Sequence, residues 1–337
     1  MAEVSHSPTT RIFALDQLRL VLSTPTPALT AQIATLWCDS FFLTYADVAT
    51  VADRPTIHVL FQQSATAPRP TVAVPPVYQA GDLIVHKLAI GFLLRCGESW
   101  LALHIDEQWA EGQLAPDFVA TRPQDQRDFF LLLLLMLGHR QSYYGLHANA
   151  LSDGQRDYLV IGPSGSGKST LTVRLLTQGW RCGGDDLLLL CEACGVKREL
   201  RLLALRRDFA LSAQTLAYCR PAVGALHSVP TATEKQIVAG TTLTSLLQDE
   251  FAPALLLFAG IVDQAVSAVA PLDPRLALIA LAQQSAGIMT DRAVAQLQMD
   301  LLARLCQQVP SYRLALGEDV FANPAQVAAL LQGLCFD

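Results

Sequence analysis

Nine consecutive residues constrain this 337-residue chain more than any others: residues 162–170, GPSGSGKST. They meet the pattern G-x-x-x-x-G-K-[ST] through Gly162, Gly167, Lys168 and Ser169. Gly162, Gly165 and Gly167 let the backbone turn tightly and come close to a ligand. Successive backbone N–H groups then point into one concavity, which suits an anion. An apolar run, YLVI, precedes the stretch, and a helical pattern over residues 167–178 follows it, with Gly179 placed to end the helix. Strand, glycine loop and helix N-terminus in that order form a phosphate cradle. The cradle consists of Gly162, Pro163, Ser164, Gly165, Ser166, Gly167, Lys168, Ser169 and Thr170. Lys168 brings a full charge to the β- and γ-phosphates, and the Ser169 hydroxyl can ligate magnesium. The cofactors this implies are ATP and Mg²⁺.

Composition narrows the rest. Hydrophobic residues are 51% of the chain and charged residues 16%, enough apolar material to fill a core. A net charge of −6 gives no general attraction to nucleic acid or anionic lipid. The most apolar run, FFLLLLLML at residues 129–137, is shorter than the roughly 20 residues a membrane-spanning helix needs. The opening MAEVSHSPTT does not read as a secretory signal, so the chain is expected in the cytoplasm, without membrane or nucleic-acid partners. Eight scattered cysteines suggest no disulfide framework and fit a reducing compartment. Cys191 and Cys194 form one C-x-x-C, but zinc usually needs a second pair, so a turn between two strands is the favoured reading.

Two parts are expected. Residues 1–122 read as an accessory α+β domain without an interpretable motif. Its strands are placed at residues 12–22, 55–61, 83–94 and 99–105, with a helix at 29–42 and a Pro-rich loop at 65–76. Residues 123–337 read as the catalytic domain, opened by a helix over 123–140. Strands are expected at 146–151, 157–161, 187–190, 199–205, 254–261 and 310–316. Asp273-Pro274 and Asn323-Pro324 each look like a cap followed by proline in the first helical turn. A further helix is expected over 291–308. Strands alternating with helices make this an α/β core.

Other residues carry candidate chemistry. Asp185 and Asp186 follow Lys168 by seventeen and eighteen residues. Adjacent carboxylates are costly to desolvate together unless a cation sits between them or one takes a proton. Beside a phosphate loop, one can hold metal while the other accepts a proton from an attacking hydroxyl; the alternative is a solvated turn. His147, on the strand before the loop strand, reads by itself as structural. Arg206 and Arg207 follow a strand and either clamp phosphate or are solvated. Lys235 lies in a polar loop, TATEKQ, of a lysine-poor chain and is a weaker candidate for a phosphate or substrate contact. Residues 151–155, LSDGQ, are similar to the LSGGQ signature of ABC transporter ATPases. That signature follows the phosphate loop in its own family and precedes it here, so a turn is expected.

The run LHANAL, then YLVIGPSGSGKSTLTVRLLTQGW, then GGDD resembles the catalytic domain of HPr kinase/phosphorylase and, more distantly, phosphoenolpyruvate carboxykinases. The tail VPSYRLALGED also looks like the last strand of HPr-kinase-related proteins, so the resemblance spans residues 145–319. It implies a P-loop kinase core of the HPr kinase C-terminal-domain type. It implies that His147 lies near the transferred phosphate, that Lys168 and Ser169 are the phosphate lysine and metal serine, and that Asp185 and Asp186 share the base and magnesium roles. The order expected is Asp185 as base and Asp186 as ligand. HPr kinases usually carry GKSE, where this chain has Thr170, and their LEIRG-like second signature is not found here. These departures point away from HPr as acceptor, toward a serine in another peptide or protein, including a biosynthetic precursor peptide, or toward free serine. The family includes hexamers, which leaves a homo-oligomer open. The rival reading is a nucleotide-gated module that holds a peptide or partner without phosphorylating it.

Overall fold

A computed structural model describes residues 8–62, 70–89, 91–116, 118, 123–193, 199–223, 228–230, 235–285 and 291–334. The chain divides into two compact units, Met1–Tyr143 and Tyr144–Asp337, of mixed α/β character.

Among the described residues of the N-terminal unit, nine strands form one mixed sheet. Residues 12–22, expected as one strand, are a hairpin of Thr9–Leu15 and Leu18–Thr24, paired antiparallel around Asp16, whose φ is +50°. Likewise residues 83–94 are two strands, Leu83–Leu88 and Gly91–Cys96. Strand pairing inserts a turn where the apolar run alone shows none. The helix Pro123–Gly138, expected to open the catalytic domain, belongs to this unit. Its Phe130 ring packs edge-on against Trp37 and Phe61, at 5.7 and 6.2 Å between centroids. Burial of these aromatic rings, each a large apolar surface, decides where the helix docks.

The C-terminal unit is built on a six-stranded sheet. Its order is Arg181–Cys182, Ala148–Ser152, Asp157–Ile161, Pro253–Ile261, Ser311–Leu316 and Ala268–Pro271. Asp157–Ile161, called the loop strand below, runs parallel to Pro253–Ile261, which runs parallel to Ser311–Leu316. Alternation along these strands sends Leu255, Leu257 and Leu314 to one face. There they pack with Leu171, Leu175 and Leu176 of the helix Lys168–Leu176 and with Val327 and Leu331 of the last helix, Pro324–Gln332. Of the two expected caps, Asp273 accepts from the Arg275 N–H at 2.8 Å, whereas Asn323 precedes Pro324–Gln332 without a side-chain cap bond; Asp291 accepts from Ala293 at 2.9 Å to open Arg292–Gln308. Residues 153–156 are a turn between two paired strands, with Asp153 accepting the N–H groups of Gln155 and Arg156, which disposes of the LSDGQ likeness.

Two smaller sheets flank the first. Tyr144–Leu146, Leu188–Glu192, Leu200–Ala204 and Glu250–Phe251 pair antiparallel in that order. The second joins Phe209–Ser212, Lys235–Val238 and Ser228–Pro230. Lys235, expected in a loop, therefore begins a strand. The helix Ala213–Val223 was equally unmarked in the sequence. Cys194 of the C-x-x-C lies outside the described residues, and Cys191 is buried on a strand. Among the described residues no helix is long and apolar enough to cross a membrane.

Candidate functional site

The loop strand is buried along Tyr158–Ile161 and delivers the chain to Gly162 at its end. A Cβ at Gly162 would stand 2.5 Å from the Ser166 hydroxyl, so the loop closes only around a glycine. Gly167, at φ +93°, takes the left-handed geometry that starts the helix at Lys168. That helix is nine residues long and sends its N-terminal dipole into the concavity. Ser166 Oγ is buried there, without a hydrogen-bond partner among the described residues.

Lys168 is 4% exposed, and three kinds of group surround its ammonium. Nζ donates to the carbonyls of Gly162 (2.8 Å) and Pro163 (3.3 Å). It lies 3.3 Å from His147 Nε2 and 3.3 Å from Asp186 Oδ1. His147 Nε2 and Asp186 Oδ1 are 3.6 Å apart. Lysine, histidine and carboxylate from three distant positions thus meet at the start of the loop.

Asp185 faces elsewhere. It is fully buried and accepts the Ser169 hydroxyl at 2.7 Å, the Asn149 amide at 3.1 Å and the Ala210 N–H at 3.0 Å. Asn149, also buried, ties the pair together: its amide donates to Asp185 and to Thr172 Oγ1 (2.9 Å), and its carbonyl accepts the Asp186 N–H at 2.9 Å. Asp186 sits at φ +61°, a left-handed conformation uncommon outside glycine and concentrated at functional sites. The turn before it is equally constrained, since a Cβ at Gly184 (φ +84°) would meet the Arg206 carbonyl oxygen at 1.8 Å.

These surroundings split the two carboxylates. Burial, then the neighbouring Asp186 charge, pushes Asp185 up to about 6 against its hydrogen bonds. Burial also acts to raise Asp186, but His147, protonated in the acid range where Asp186 titrates, together with Lys168 and Lys235 outweighs it and holds Asp186 below the usual carboxylate range. Burial lowers His147, and Lys168 adds to that, while Asp186 opposes it. A neutral imidazole at pH 7 follows, so the His147–Asp186 approach is a contact between a ring nitrogen and a carboxylate, not a full ion pair.

A divalent cation and a triphosphate fit this donor set. Ser169 Oγ and Asp185 together offer oxygen ligands, and a cation there would relieve a buried carboxylate. Among the described residues no cluster of three or more His, Cys, Asp or Glu could hold a metal by itself. Magnesium typically takes one or two carboxylates and completes its shell with phosphate and water.

Arg206 pairs with Asp208 at 2.7 Å and acts electrostatically on Asp185. The backbone of Arg207 packs against Gly240, where a Cβ would meet the Arg207 carbonyl oxygen at 2.3 Å. Lys235 acts on both His147 and Asp186 from the first position of its strand. Thr170 Oγ1 lies 2.9 Å from Thr215 Oγ1 of the helix Ala213–Val223. Ser164 and Gly165 are exposed at the loop tip. Sequence reasoning missed Asn149 and the Ala210 N–H. Asn149 had one signal, since it stands two residues after His147, on the same side of an extended chain. Ala210 had none.

Among solved structures the chain is similar to the HPr(Ser) kinase/phosphatase from Coxiella burnetii, a distant likeness. Identity is 12%, over 56% of this chain and 93% of that one, with a TM-score of 0.29. No family model and no curated protein matches the chain.

Proposed function

We propose that the protein is an ATP-dependent phosphotransferase that moves the γ-phosphoryl group to a hydroxyl, most simply a serine of a peptide or protein. The observation that carries this is the convergence of Lys168 Nζ, His147 Nε2 and Asp186 Oδ1 within 3.3–3.6 Å at the loop, beside the Ser169–Asp185 pair. Bound Mg²⁺ supplies charge neutralisation across the phosphate oxygens. The loop N–H groups and Lys168 orient the triphosphate. Asp186, ionised and at the mouth of the site, accepts the acceptor hydroxyl's proton as the new O–P bond forms and the bond to the bridging oxygen breaks, releasing ADP. Asp185, bonded to Ser169, stands on the metal side. This reverses the order expected from the sequence, and the support is geometric: Asp185 is sealed behind Ser169, whereas Asp186 is 19% exposed beside Lys168.

Amide substitutions separate the roles. Asp186→Asn should keep Mg²⁺-ATP binding and lose roughly 10²–10⁴-fold in single-turnover transfer, the usual worth of a general base. Asp185→Asn should weaken apparent Mg²⁺ affinity and be partly rescued by added metal. A rescuable metal defect confined to Asp186→Asn reinstates the reverse order. Tight Mg²⁺-ATP binding without transfer to any hydroxyl would leave the nucleotide-gated module as the better reading.

A further inference from the structure

Next to the glycine loop lies a cavity of 410 Å³. Gly162 and Pro163 form one wall, Phe258 another, and Leu272, Leu276 and Gln283 close the side of the helix Pro274–Ser285. The volume falls in the range of small-ligand pockets, roughly 300–1,000 Å³. Two strongly exposed apolar side chains belong to its lining, Ile261 at 67% and Leu276 at 52%. Exposed apolar groups continuous with a concave apolar wall mark a contact surface, unlike single scattered ones.

The wall shared with the loop tells which ligand end comes here. Lys168 Nζ donates to the Gly162 and Pro163 carbonyls and stands beside Asp186. A lysine at this motif position reaches the β- and γ-phosphates. The cavity therefore borders the end of the nucleotide where the phosphoryl group leaves, and where an acceptor must approach. Free serine fits it poorly, because its ammonium and carboxylate would be desolvated against mostly apolar walls, with Arg313 the single charged residue among the described lining. A peptide presents no such pair of charges near its serine and can offer a leucine or phenylalanine.

We propose that this cavity receives a bulky apolar side chain of a peptide acceptor, close in sequence to the phosphorylated hydroxyl. The inference rests on the phosphotransfer reading above. Its probe is a positional library of synthetic peptides with one central serine, each flanking position fixed in turn as Leu, Phe, Ala, Asp or Lys, with free L-serine alongside. The full-length protein and γ-labelled ATP are used, and Mg²⁺-ATP and Mg²⁺-tripolyphosphate binding are measured by calorimetry. At one flanking position Leu or Phe should raise incorporation at least tenfold over Asp or Lys, and free serine should trail the best peptide. Leu276→Asp, at a half-exposed position, should abolish that preference and shift it toward Lys, with Mg²⁺-ATP binding retained. Equal incorporation across the library, no incorporation despite Mg²⁺-ATP binding, or preference for free serine overturns the proposal and leaves nucleotide binding standing. If Leu276→Asp weakens ATP but not tripolyphosphate, the cavity holds the nucleobase and the proposal falls. Failure of the wild type to bind either nucleotide or tripolyphosphate strikes the phosphotransfer reading itself.

Discussion

On the loop side of the candidate site, the cradle comes from one continuous stretch, Gly162 to Ser169, shaped by its own backbone angles. On the acidic side, Asp185 is held by Ser169, Asn149 and the Ala210 N–H, and Asp186 by Asn149 and Lys168, from three separate pieces of chain. The first side needs only local geometry. The second exists only when strands distant in sequence have already come together. The loop side should therefore tolerate remote change, and the acidic side should couple site geometry to global stability.

Two left-handed glycines, one on each side, test this most sharply. Gly184→Ala places a methyl against the Arg206 carbonyl, with 1.8 Å between Cβ and oxygen, and should cost at least about 3 kcal/mol. Gly165→Ala, at φ +85° with nothing within 4 Å of its Cβ, should cost only the backbone strain, about 1–2 kcal/mol. Urea unfolding of both variants reads the difference, and equal costs would erase the contrast between the two sides.

A second pair compares function. Lys168→Ala should reduce Mg²⁺-ATP affinity by about 2–4 kcal/mol, through loss of a charge-assisted contact to phosphate. Asn149→Ala removes the link between the aspartates, so it should lower transfer more than nucleotide affinity and cost about 1–3 kcal/mol of stability for the buried partners left unmet. Calorimetry beside single-turnover rates distinguishes them. Loss of ATP affinity in Asn149→Ala as large as in Lys168→Ala would show that the two sides are not separable.

A third effect depends on pH. Asp185 titrates near 6 when folded and near 3.8 otherwise, so the folded protein holds an extra proton between these values. That contribution is complete below pH 4 and is lost as pH rises through 6, by up to about 3 kcal/mol. Unfolding in EDTA from pH 4 to 7 should show this decline in the wild type and not in Asp185→Asn. Added Mg²⁺ should reduce it. A flat wild-type profile would mean that water or a cation already reaches Asp185.

Before any folding, the residues themselves carried the loop glycines, Lys168, Ser169, the Asp185–Asp186 pair and the helix starts at Asp273, Asp291 and Asn323. Each of these signals acts over a few residues through backbone angles, a missing N–H or a capping oxygen, so neighbouring sequence is enough to express it. Tertiary structure alone decided that Asn149 bridges the two aspartates, that Ala210 donates its N–H to Asp185, that Lys235 begins a strand, and that Pro123–Gly138 packs with Trp37 and Phe61. The different surroundings of the two aspartates belong here too, since adjacent, chemically identical side chains are set apart only by what packs around them. The reason is physical: strand pairing and apolar burial choose partners far along the chain by shape and area, and no local pattern records which partner wins.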